Sequence, residues 1–148
     1  MKKAFPIGMA ILILLSLPAY GSGTDNMAAG EDAFYIALTN DCDSEIYGIH
    51  CEYYLGDVPT GGGVVTNSGD KPTPIKKSSV LSRDFIPADF PKDADLSTFK
   101  IQVYVILEEG QEVPTGEPVE MSVQYGSRYY LTLSGNNGAG FMVTKEES

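Results

Sequence analysis

Between Phe99 and Leu107 every second residue is apolar: Phe99, Ile101, Val103, Val105 and Leu107. Successive side chains of an extended strand point to opposite faces, so this pattern belongs to a strand with one dry face and one wet one. The same period returns in Val119, Met121 and Val123, set between Glu120, Ser122 and Gln124, and in Tyr129, Leu131 and Leu133, set between Arg128, Tyr130, Thr132 and Ser134. Downstream of residue 21 no segment sustains apolar residues at i, i+3, i+4 and i+7, so no long helix is predicted. Sixteen glycines and nine prolines supply turn chemistry between the alternating runs. Strands are predicted over 33–39, 46–55, 62–66, 76–86, 99–108, 118–124, 127–134 and 140–145. One short helical turn is predicted around 93–98, where an aspartate can cap exposed amides.

A sheet with one dry face must have that face covered, and with no helices a second sheet is the simplest cover. The predicted fold class is all-β: an antiparallel two-sheet sandwich of about seven or eight strands. It is immunoglobulin-like in architecture only, because the chain has no tryptophan to sit beside a long-range disulfide. A small closed β-barrel is the alternative, since strand number does not separate the two. Leu55–Gly61 and Glu109–Gly116 both end in Val-Pro-Thr-Gly. With Pro at the second position and Gly at the fourth, each copy is predicted as a type I turn. Gly61, Gly62 and Gly63 are predicted as a flexible hairpin tip.

The amino-terminal 21 residues have the pattern of a secretory signal. Lys2 and Lys3 precede an apolar run from Phe5 to Leu17, and small residues follow at Ala19 and Gly21. The run is short for a bilayer-crossing helix. The expected organisation is a signal peptide at 1–21, a flexible lead-in at 22–32 and one sandwich domain at 33–148. Export to the periplasm, cell surface or medium follows, with no stable membrane insertion after cleavage. The chain carries 20 acidic and 10 basic residues, net −10. Cleavage removes two lysines and no acid, which brings the net charge to −12. So negative a surface argues against nucleic acid, and points instead to a protein or envelope component, with oligomerisation open.

Cys42 and Cys51 are the only two cysteines, and in an exported protein an even pair reads as a disulfide. Cys42 has the parity of Phe34, Ile36 and Leu38, and Cys51 that of Ile49, Tyr53 and Leu55, so both sulfurs are expected in the core at one end of a hairpin. A bridge there would contribute about 2.5–3 kcal/mol by loop closure.

The chemistry is constrained by scarcity. His50 is the single histidine; two or three are needed for a zinc hydrolase or a cupredoxin copper site. Its parity sets it on the wet face with Glu52 and Tyr54, and no Gly-x-Ser-x-Gly elbow accompanies it. Glu52, Asp84, Glu108, Glu109 and Glu120 lie on or near strands, and a carboxylate pair among them would be the only route to a hydrolase. Asp41, Asp43, Glu45 and Glu52 have EF-hand spacing, but Ile46 stands where that loop needs glycine. Asp41, Asp43 and Glu45, or Asp93 and Asp95 beside Asp89, are the weak candidates for a looser calcium cage; no metal or cofactor is expected. Tyr54, Tyr104 and Tyr130 run out of phase with the core residues of their strands and form a candidate surface platform. The sequence therefore predicts an exported, non-catalytic β-sandwich that acts through a surface, as a binding module or an assembly subunit. A small carbohydrate- or calcium-binding domain is the second reading, and a carboxylate hydrolase the third.

Overall fold

A computed structural model describes residues 31–67 and 69–146. The predicted signal peptide and nearly all of the lead-in lie outside the described residues. Among the described residues nine strands follow in order: β1 (Phe34–Cys42), β2 (Gly48–Leu55), β3 (Val58–Thr66), β4 (Val80–Phe85), β5 (Phe99–Ile106), β6 (Glu112–Pro114), β7 (Val119–Met121), β8 (Arg128–Asn136) and β9 (Gly140–Lys145). They form an all-β two-sheet sandwich and not a closed barrel. The first sheet has the order β4-β1-β8-β9 and the second β3-β2-β5-β6, with β7 also on β5. All pairings are antiparallel except β1 with β8, which run parallel from Tyr35 opposite Arg128 to Cys42 opposite Gly135. Among the described residues no helix is long and apolar enough to cross a membrane.

The period-two residues meet between the sheets. Phe34, Phe99, Ile49, Val103, Val105, Leu131 and Leu133 are essentially sealed from solvent. One end of the core is aromatic: Phe34 stacks on Phe85 at 4.9 Å, and both meet Phe99 edge-on at 5.4 and 5.5 Å. Edge-to-face and offset contacts of this kind add to what their buried area contributes. At the other end the buried Asn40 donates from Nδ2 to the carbonyls of Ile75 and Lys76, and its Oδ1 accepts from the Cys42 amide. This amide holds the chain in place just before β4. The predicted strand at 76–86 therefore starts only at Val80, after Ser78 takes a φ of 75° that no strand can continue through. The helical turn predicted at 93–98 is a single 3₁₀ turn, Leu96–Thr98, capped by Asp95.

Three local expectations are corrected. Gly61–Gly63 are not a tip but the middle of β3, opposite Tyr53, Glu52 and Cys51. The turn lies earlier, at Gly56 with φ 61°, which leaves two residues between β2 and β3. The Val-Pro-Thr-Gly copies are not turns either. Val58-Pro59 belongs to β3 and Val113-Pro114 to β6, edge strands on opposite borders of the second sheet, where a proline's missing N–H costs no internal ladder bond. In both copies the proline faces a tyrosine, Pro59 with Tyr54 and Pro114 with Tyr104.

The disulfide is the third correction: Cys42 and Cys51 are free thiols. β1 and β2 do not form a hairpin, because residues 43–47 carry the chain from one sheet to the other. Cys42 ends β1, with its Sγ 3.9 Å from the Leu133 carbonyl. Cys51 lies three residues inside β2, about 10 Å along the strand, between Val103 and Gly63. Side-chain parity gives the face a residue points to and not its depth along the core.

Candidate functional site

The outer face of the second sheet gathers most of the polar and aromatic groups that the fold brings together. With Ile49, Tyr53, Val103 and Val105 turned inward, alternation turns His50, Glu52 and Tyr54 of β2 and Lys100, Gln102 and Tyr104 of β5 outward. The antiparallel register sets them in rows: His50 beside Tyr104, Glu52 beside Gln102, Tyr54 beside Lys100. β6 and β7 extend the face, with Pro114 next to Tyr104 and Glu120 next to Lys100.

Glu52 is the hub. Its Oε2 accepts from the Tyr54 hydroxyl at 2.5 Å and from the Tyr104 hydroxyl at 3.5 Å, and its Oε1 lies 3.8 Å from His50 Nε2. On its other side His50 Nδ1 is 3.0 Å from Glu112 Oε1. The imidazole also stacks on the Tyr104 ring, 5.2 Å between centroids and 24° between planes. These contacts fix two phenol rings and one imidazole on an open sheet surface. The bond to Glu52, followed by desolvation, pushes the Tyr54 phenol up to about 12. Desolvation and the same carboxylate raise Tyr104. Both hydroxyls are thus neutral donors across the physiological range. Beyond them Lys100 reaches Asp57 at 3.3 Å and Glu120 at 3.9 Å, and borders a shallow hollow with Glu117 and Pro118.

Gln102 is buried, and its Nε2 donates to the carbonyls of Val103 and Gly116. It fills the gap on β5 between the stretch paired to β7 and the stretch paired to β6. The predicted strand at 118–124 is accordingly short, Val119–Met121.

The other predicted site residues lie apart from this face. Tyr130 is on β8, in the first sheet, where its ring meets Tyr35 edge-on at 6.4 Å; the thickness of the sandwich separates it from Tyr54 and Tyr104. Asp41 and Asp43 bracket Lys77 at 3.7 and 2.8 Å, and Glu45 accepts from Tyr47. Asp95 accepts from the amide and hydroxyl of Ser97, bonds that hold its carboxyl below the usual value. Asp93 sits at a φ of 65° in a turn. Among the described residues no three histidine, cysteine, aspartate or glutamate side chains converge as a metal site. Of the strand carboxylates, Glu52 meets a second carboxylate only through His50, and that partner is Glu112. Sequence reasoning did not single out Glu112; its only advance signal is its place just before the second Val-Pro-Thr-Gly.

No family model and no curated protein matches this chain. Among solved structures it is similar to the "NMR structure of the protein from Eubacterium rectale". The identity is 10% and the TM-score 0.42, over 85% of this chain and 97% of that one. A likeness of that size carries nothing about function.

Proposed function

We propose that this chain is an exported β-sandwich that works through a surface, as a binding module or an assembly subunit, and catalyses no reaction of its own. One observation carries this reading: the outer face of the second sheet holds Tyr54, Tyr104 and His50 in fixed positions around Glu52. Aromatic rings already ordered by their neighbours lose little entropy when a partner covers them, and their hydroxyl ends offer directional bonds. The acidic balance of the chain favours a basic or neutral partner over an anionic polymer. Export is supported by the Lys2-Lys3 start and the apolar run from Phe5 to Leu17.

The test is cross-linking on intact host cells that produce the protein, comparing the native chain with a Tyr54→Ser, Tyr104→Ser double variant. The expected result is a chain shortened at its amino terminus, located outside the cytoplasm, in a cross-linked species that the double variant loses. An unprocessed cytoplasmic chain would sink the export half. A cross-linked species indifferent to both tyrosines would move the working surface elsewhere.

A further inference from the structure

β3 is an unusual edge. It spans nine residues, Val-Pro-Thr-Gly-Gly-Gly-Val-Val-Thr, without a charge, and it is exposed along almost all of its length. Among the described residues its strand partner is β2 alone. Edge strands in natural proteins are ordinarily protected by lysines, bulges, brevity or a covering loop, because a bare edge recruits another strand. Pro59 and a register shift opposite Tyr53 and Tyr54 protect one end of β3. From Gly61 to Thr66 none of these devices is present among the described residues.

We infer that β3 is a strand-addition site, and that its occupant is an extended peptide in which apolar residues alternate with lysine or arginine. This deepens the surface-binding reading above and rests on it. The alternation follows from the two faces of β3. On the inner side Val58 and Val65, 62% and 40% exposed, continue the core layer past its last covered strand, and an apolar guest side chain would pack on them. On the outer side Gly62 lies directly opposite Glu52. A guest strand would lie two strand spacings from β2, about 10 Å. With no side chain on Gly62 to intervene, a guest lysine and Glu52 can close that distance over bare backbone. The Glu52 carboxylate is one-third exposed and belongs to a chain of net charge −10. A second copy fits less well, because β3 holds no cation to offer Glu52 and the two acidic bodies would repel.

The experiment titrates the purified protein with a nine-residue peptide of alternating valine and lysine. A valine–glutamate peptide of the same length serves as the control, and amide exchange is followed residue by residue. The lysine peptide is expected to slow exchange across Gly61–Thr66, while the glutamate peptide leaves it unchanged. Val64→Lys, at a site 55% exposed on the outer side, should weaken binding by about tenfold or more through like-charge contact. Glu52→Gln should weaken it by about threefold, the worth of one partly exposed ion pair. Met142→Lys, at the far edge on β9, should leave binding unchanged. Equal binding of both peptides would overturn the inference, and so would protection of β3 by self-association or by the chain's own amino-terminal segment. Lysine-peptide binding that maps to another surface would overturn it while leaving the surface-binding reading standing.

Discussion

Glu52 joins three side chains, Tyr54, Tyr104 and His50, through two oxygens, and its influence extends to the protonation of its neighbours. Tyr54 is pushed up to about 12 from an ordinary 10.0, chiefly by its bond to that carboxylate. In the core, burial pushes Cys42 up to about 11 and Cys51 up to about 12 from 9.0. In each case the folded chain keeps a proton that the unfolded chain releases earlier. Their contribution to stability is therefore complete below about pH 9 and is lost as the pH rises through the folded values. The melting temperature should hold up to about pH 9 and fall between about pH 9 and pH 12, and circular dichroism at a series of pH values checks it; a flat profile would contradict these assignments. Glu52→Gln should return the phenolate absorbance of Tyr54 toward its ordinary titration range. The outward orientation of Tyr54 and Tyr104 and the inward orientation of both cysteines were readable from alternation. Glu112 was not, because the loop at 107–111 decides which residue of the returning strand meets His50, and alternation is blind to loop length.

At the scale of elements, β3 shows how composition can mislead. Three consecutive glycines read as a tip, yet Gly62 is small because of what lies beside it. A Cβ there would stand 2.6 Å from the Cys51 carbonyl oxygen, whereas a Cβ on Gly63 would meet nothing within 4 Å. Gly62→Ala should therefore cost about 1–3 kcal/mol, as overpacking does. Gly63→Ala should be neutral or stabilising by about 0.4–1 kcal/mol through a less flexible unfolded chain. Urea unfolding of the two variants side by side checks the contrast, and equal effects would contradict the geometry. The Val-Pro-Thr-Gly repeat was visible in the sequence, but its meaning was not. Proline before a glycine satisfies the preferences of a turn and of a sheet border alike, and only the pairing of Tyr54 with Pro59 and Tyr104 with Pro114 separates them. Strands with strong alternation, β5 and β8 above all, came out within two residues of their predicted limits.

Across the whole molecule, the two-layer arrangement was legible because dry faces have to be buried, but strand order was not, because alternation gives no neighbour. The most consequential residue at this scale is Phe34, which meets Phe85, Phe90, Phe99, Tyr125 and Tyr129 and ties both sheets together. Phe34→Ala should destabilise the fold by about 3–5 kcal/mol, read from the urea midpoint at unchanged slope; a loss below about 1 kcal/mol would show that the aromatic end can close on itself. The parallel ladder between β1 and β8 joins residues 93 positions apart in the chain. Pairings so remote in sequence are slow to form. A ribosome must therefore have made most of this polypeptide before its first strand can find its central neighbour, and until then the growing chain stays threadable.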